Sequence, residues 1–283
     1  MAKEGRRLKT IDPMNMVSPY IMSTRTGSSN LFKDRIELTA AEAYIKKKRS
    51  EGLKGFGMLH LLIAAYVRTV SQRPGINRYI RGQKIYARNT IEVDMTIKKE
   101  LKLDAAETCI KAEYQPDATA EDVYYIFTKL VDDYKNSDDG SDFGVLVKVL
   151  RCIPGLLLRF LVGILKLLDY FGLLPRWLTK LSPFHGSMFI TSMGSLGIPP
   201  VFHHLYDFGN LPVFLSYGAK YEEKTLNDDG TIKKSKYIDF TVVTDERICD
   251  GHYYASAFKY LKSILKNPEV LDNPPEKVIE DIK

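Results

Sequence analysis

Cysteine is scarce in this chain of 283 residues, with three in all. Cys109, Cys152 and Cys249 lie far apart, which excludes a disulfide framework and a cysteine-based metal site. Such usage fits a reducing compartment, so a cytoplasmic location is expected. No low-complexity run and no Gly/Ser/Pro-rich linker divides the sequence, so a single domain over 1–283 is expected. The opening MAKEGRRLK lacks the apolar stretch of a signal peptide. Neither sign of charge dominates: 41 Lys and Arg stand against 35 Asp and Glu, for a net +6. Basic residues gather at Lys3, Arg6, Arg7 and Lys9 and in Lys46-Lys47-Lys48-Arg49. No aromatic residues interleave with them, so they read as solvated surface, and nucleic acid is not an expected partner. Apolar residues are plentiful at 45%, enough for a large core.

Hydrophobic periodicity gives the organisation. The first 32 residues read as an irregular arm broken by Pro13, Pro19 and Gly27. Lys33–Leu38 reads as a strand, followed by a helix to Arg49 with Thr39 as N-cap and Glu42 completing a capping box. Met58–Ser71 is an apolar helix stopped by Pro74 and Gly75. Ile85–Tyr86, Ile91–Ile97 and Thr108–Tyr114 alternate as strands do, and Thr119 or Ala120 to Lys135 is an amphipathic helix followed by a polar turn at Asn136–Asp142. Met188–Ser192, Val213–Lys220 and Tyr237–Thr244 are strand-like, the last two joined by the turn signal Asn227-Asp228-Asp229-Gly230. A helix over Tyr253–Leu265 closes the pattern, and the tail from Asn267 is expected to be loosely held. Strands mixed with helices, with a late hairpin, imply an α/β or α+β domain built on a mixed sheet.

Four segments then narrow the reading. Asp245-Glu246-Arg247-Ile248-Cys249-Asp250-Gly251, between a strand and a helix, resembles the H-x-x-x-D-G signature of the chloramphenicol acetyltransferase family and of the dihydrolipoamide acyltransferase cores of 2-oxoacid dehydrogenase complexes. Asp34–Thr39 with its helix is similar to that family's first strand and helix. Leu59–Val70 followed by Arg73-Pro74-Gly75-Ile76-Asn77 looks like its buried helix and P-x-x-N turn. Gly186–Gly197 resembles its strand and glycine turn. They occur in the family's order along most of the chain.

The resemblance implies a chloramphenicol acetyltransferase-like fold of the α+β two-layer sandwich type, assembled as a homotrimer with the site between subunits. It also implies an acyl transfer from a coenzyme A thioester to a hydroxyl or thiol acceptor, with acyl-CoA and that acceptor as partners and no permanently bound cofactor. In the family a histidine takes the acceptor's proton; Glu246 holds its position here. Thr191 falls where a hydroxyl supports the oxyanion, and Ser192 and Asn77 fall at substrate-binding positions. Asp250 is expected to form an ion pair that holds the loop, and Gly251 to permit its turn. The strand-helix core starts near residue 33, and the residues before it are too few for a lipoyl domain, so a stand-alone enzyme is expected.

Glutamate at the base position divides the functional reading. A free glutamate titrates near pH 4.3, a poor match to an alcohol or thiol proton. Burial would raise its pKa and make it usable, whereas Arg247 would oppose that if the side chains meet. His203-His204 offer a substitute base, although adjacent histidines point in different directions, and a metal there would need a third ligand that the sequence does not locate. The alternative is a non-catalytic trimeric binding module of the same fold. Cys249 and His60 read as packing residues, and His185 and His252 as structural ones.

Phe143–Leu181 stands apart as an apolar helical insertion. Lys148, Arg151, Arg159, Lys166 and Asp169 fall on one narrow stripe, and Pro154 and Pro175 divide the run. Charges within it argue against a bilayer span, since each would cost roughly 2.5–3.5 kcal/mol at the membrane centre. Three readings stay open: helices buried against the sheet or neighbouring subunits, an in-plane membrane contact that makes the protein peripheral to a membrane, or a tunnel for a long acyl chain.

Overall fold

The computed structural model describes residues 4–98, 107–136, 150–226 and 229–283. Six strands form the main sheet: β2 (Ser29–Glu37), β5 (Ile91–Lys98), β6 (Glu107–Tyr114), β7 (Met188–Ser192), β8 (Val213–Leu226) and β9 (Ile232–Asp245), in the order β2-β9-β8-β7-β5-β6. β7 runs parallel to both β5 and β8, and the other pairs are antiparallel, so the sheet is mixed. A second sheet of three strands joins β1 (Gly5–Arg7), β4 (Lys84–Arg88) and β3 (Arg78–Arg81).

One face of the main sheet carries the core. Met188, Ile190, Val213, Leu215, Phe240 and Val242 pack there beneath α2 (Thr39–Ser50), α3 (Met58–Gln72), α4 (Ala120–Asn136) and α7 (Gly251–Lys266). α3 is apolar almost all round because it is buried almost all round, from Met58 through Ser71 except for Leu59. Strand alternation sends Phe189, Phe214 and Val243 to the opposite face, where Leu205 and Leu211 of the 197–212 loop cover them. Leu31, level with Val243, shares that open face and is 60% exposed.

Several local expectations give way to other chemistry. Thr39 is not an N-cap; its hydroxyl and amide both donate to Glu37. The reciprocal capping box sits instead at Thr119 and Asp122, each bonding the other's backbone N–H. The arm is not irregular throughout: Asp12 caps α1 (Pro13–Ile21), with Pro13 at its first position. Lys48 is not a solvated residue but a buried one that pairs with Asp272 at 2.6 Å and Glu51 at 2.9 Å. The tail is not loose either. Arg68 donates to the carbonyls of Val270 and Asn273, Ile279 donates to Ser71, and Asp281 forms a two-pronged pair with Arg78 at 2.6 and 2.7 Å. The expected turn at 137–142 and part of 227–230 lie outside the described residues.

The described part of the insertion forms α5 (Gly155–Phe171) and α6 (Arg176–Leu181), entered at Pro154 and Pro175 as their spacing predicts. Gly172 caps α5 at φ 68°, a left-handed conformation that suits glycine, against the side chain of Arg81. No residue of α5 is buried, so within one chain the described insertion does not disappear against the sheet. Among the described residues no helix is long and apolar enough to cross a membrane.

Candidate functional site

The segment after β9 is fixed from both sides. Asp245 ends the strand 1% exposed, and Arg247 grips its carboxylate with Nε and Nη2, each at 2.8 Å. Arg25, from the stretch before β2, adds its Nε at 3.4 Å. The remaining nitrogens of Arg25 donate to the carbonyls of Tyr206 and Gly209, both at 2.5 Å. Gly209 sits at φ 88°, and a Cβ there would lie 2.1 Å from the Phe184 carbonyl oxygen, so only glycine brings that carbonyl within reach. The hydroxyl of Tyr254 donates to the Asp245 carbonyl from α7. Two guanidiniums, one carboxylate and a buried tyrosine thus weld the arm, the 206–209 loop and the end of β9 together.

Glu246 is the next residue. Its amide donates to the Ser28 carbonyl at 2.9 Å, and the side chain is half-buried. Among the described residues nothing hydrogen-bonds its carboxylate. Arg247, the neighbour expected to oppose a raised pKa, turns to Asp245 instead. Glu246 therefore presents an unengaged carboxylate on a rigid mount.

Asp250 and Gly251 have other roles than those the resemblance implied. Asp250 is the N-cap of α7, accepting from the Tyr253 amide at 2.8 Å, and the ion pair that holds the loop belongs to Asp245. Gly251 opens the helix outside the left-handed region, and a Cβ there would meet nothing within 4 Å, so the turn does not require glycine. Cys249 is 3% exposed, and burial pushes its thiol pKa up, away from nucleophilic use.

The other candidates do not converge on Glu246 within one chain. Thr191 pairs with Ser216, which stands opposite Thr241, four residues before Asp245. That is roughly 14 Å along the strands. Thr191 shares the open face with Phe189, and among the described residues nothing bonds its hydroxyl. Ser192 alternates to the helix side and bonds the Tyr217 hydroxyl, so the two cannot line one site on the open face. Asn77 is buried in the turn after α3, its amide donating to the Thr90 carbonyl. It lines a groove of about 390 Å³ beneath the tail, whose other lining residues include Arg6, Arg88 and Asp281.

The histidines diverge. His203 stacks on Phe214 at 4.3 Å, where burial lowers its pKa, and among the described residues its buried Nε2 has no hydrogen-bond partner. His204 is exposed and meets the ring of Tyr206. Among the described residues no three His, Cys, Asp or Glu side chains gather as a metal site. His60 is packed between Phe56, Tyr124 and Phe127, with its Nδ1 accepting from the Gly57 amide. His185 is buried; its Nδ1 meets Ser182 Oγ at 2.8 Å and its Nε2 meets Asp169 Oδ1 of α5 at 3.2 Å. His252, the second residue of α7, is exposed.

Arg25 was the residue sequence reasoning missed. Its stretch carries no periodic pattern, and its partner lies 220 positions away. Asp245 was visible beside the motif, but nothing in the spacing separates a buried anion from a loop carboxylate.

No family model matches this sequence, and no curated protein matches it. Solved structures do. A probable dihydrolipoamide acetyltransferase from Listeria monocytogenes is 14% identical, with a TM-score of 0.57 over 94% of this chain and 96% of its own. The cubic core of a pyruvate dehydrogenase multienzyme complex gives 13% identity and 0.53, covering 96% and 93%. A chloramphenicol acetyltransferase gives 13% and 0.54, covering 92% and 100%. The mixed six-stranded sheet with its helices is thus the chloramphenicol acetyltransferase-like fold, shared with the catalytic cores of dihydrolipoamide acetyltransferases.

Proposed function

We propose that this chain is a CoA-thioester-dependent acyltransferase that acts as a homotrimer. The observation that carries the reading is the Glu246 carboxylate, unengaged and rigidly mounted, at the position that the motif resemblance gives to the base. Thr191 lies too far from it in the same chain, so the two meet only between copies. The open sheet face supports such a contact: besides Leu31, it exposes Leu196, Ile198, Val201 and Phe202 on or beside the 197–212 loop.

In this mechanism Glu246 takes the proton of the acceptor hydroxyl or thiol, and the acceptor atom attacks the thioester carbonyl. The Thr191 hydroxyl donates to the oxyanion of the tetrahedral intermediate. Collapse breaks the carbon–sulfur bond, and the CoA thiolate leaves with the proton held on Glu246.

A second reading is a non-catalytic trimeric binding module. It is supported by His203, whose ring is stacked on Phe214 and cannot stand in for the missing base without leaving that contact. The test is chromatographic measurement of acetyl-CoA consumed and acetylated acceptor formed, with dihydrolipoamide as thiol acceptor and chloramphenicol as hydroxyl acceptor. Glu246→Gln should lower kcat by about 10²-fold or more, while CoA affinity stays within a few-fold. Turnover unchanged by the substitution removes Glu246 from the mechanism. Absence of turnover by the native trimer favours the binding module.

A further inference from the structure

Helix α5 of the apolar insertion has two faces, and among the described residues only one packs against the protein. At about 100° per residue, Leu158, Leu161, Leu165, Leu168 and Asp169 fall on one side of α5, and all five are half-buried toward the body of the protein. Asp169 pins that side to buried His185, and Tyr170 donates to Gln83. Leu156, Leu157, Phe160, Ile164, Leu167 and Phe171 occupy another arc of about 100°, with exposures of 86, 49, 64, 38, 58 and 63%. Trp177 follows on α6 at 60%. Isolated exposed apolar side chains are ordinary, but a continuous stripe along a whole helix marks a surface that is covered in use.

Charge says what covers it. Among the described residues of 150–181, Arg151, Arg159, Lys166, Arg176 and Lys180 are all exposed, with Lys180 3.7 Å from Glu113. Asp169, the acidic residue of the stretch, is turned inward. Arg159 and Lys166 form a basic edge along the apolar arc. Two copies meeting through this arc would bring like-charged edges together, whereas an anionic surface would attract every one of these groups. An apolar stripe edged by arginine and lysine, with an aromatic residue at its end and no length to span a bilayer, has the anatomy of a helix lying in the plane of a membrane.

We propose that α5 and α6 dock this protein on an anionic lipid bilayer surface, with the Leu156–Phe171 arc immersed and the basic edge at the phosphates. The proposal is independent of the acyltransferase reading. It is tested by sedimentation of the full chain with large vesicles of phosphatidylcholine, with and without about 30% phosphatidylserine. The protein should pellet with the anionic vesicles and bind the neutral ones at least about tenfold more weakly, an advantage that added salt removes. Arg159→Gln and Lys166→Gln should each weaken binding about fivefold. Leu156→Ser, Phe160→Ser and Leu167→Ser together should abolish it, with the assembly mass in lipid-free buffer unchanged. Failure to pellet with the anionic vesicles, or equal binding to neutral ones, overturns the proposal. A fall in lipid-free assembly mass on the triple substitution also overturns it and assigns the face to a second copy of the chain.

Discussion

Replacing Asp245 with asparagine tests the weld behind Glu246. The change keeps shape and removes the anion that Arg25 and Arg247 share, at 6% and 6% side-chain exposure. Leaving buried charges without their partner costs about 3–5 kcal/mol. The lower end applies here, because Arg25 keeps the Tyr206 and Gly209 carbonyls and Arg247 keeps that of Met22. With an unfolding entropy of about 2.1 cal/mol/K per residue, 283 residues give roughly 0.6 kcal/mol/K, so a loss near 3 kcal/mol should lower Tm by about 5 °C. Calorimetry at neutral pH reads this directly. The exposed pair Arg35–Glu223, at 51% and 37%, supplies the control; breaking it with Glu223→Gln should leave Tm nearly unchanged, because solvent screens an exposed pair. A Tm change for Asp245→Asn no larger than the control's would refute the claim that Glu246 stands on a buried ionic mount.

Two further outcomes follow from burial and pairing. Burial, with Arg49 nearby, lowers the His60 pKa to about 4, so the unfolded chain takes up a proton below about pH 6.5 that the folded chain refuses. Stability should therefore fall as pH drops from 6.5 toward 4, by roughly 3 kcal/mol in all; urea midpoints at pH 7 and 5 measure it, and His60→Gln should flatten that part of the profile. Asp281→Ala removes the partner of buried Arg78 and should cost about 3 kcal/mol, with hydrogen exchange rising in 267–283; a loss within the range of a surface pair would mean the tail is not fastened there.

Periodicity made most strands and helices of the main sheet legible, since each buries one face and the alternation or heptad-like spacing records it. Ile91–Ile97, Met188–Ser192 and Met58–Ser71 needed little more than that. Thr39 misled because the helix begins one residue earlier than a Thr39 cap requires, with Leu38 at the N-cap position and the Thr39 hydroxyl turned to Glu37. The tail misled because its order comes from Arg68 and Arg78, which carry no local signal at 267–283. The site was half-legible for the same reason. Glu246 could be read from its motif, but the residues that hold it come from the arm, a distant loop and the last helix. Helix amphipathicity showed that the insertion was unusual; deciding which face stayed open required the position of His185, which takes Asp169 out of the exposed set.

The pairing of β2 with β9 has a consequence for synthesis. β2 has β9 as its hydrogen-bonded neighbour in the main sheet, and Arg25 waits for Asp245, 220 residues later. At roughly 5–20 residues per second, the ribosome leaves the first strand without a neighbour for about 10–40 s. An unpaired strand in that interval is an invitation to cross-chain pairing. Lys33, Asp34 and Arg35, in the middle of β2, put three charges on the segment that must wait. They act as gatekeepers for nascent chains crowded on one messenger, and neutralising them should show first as lost soluble yield.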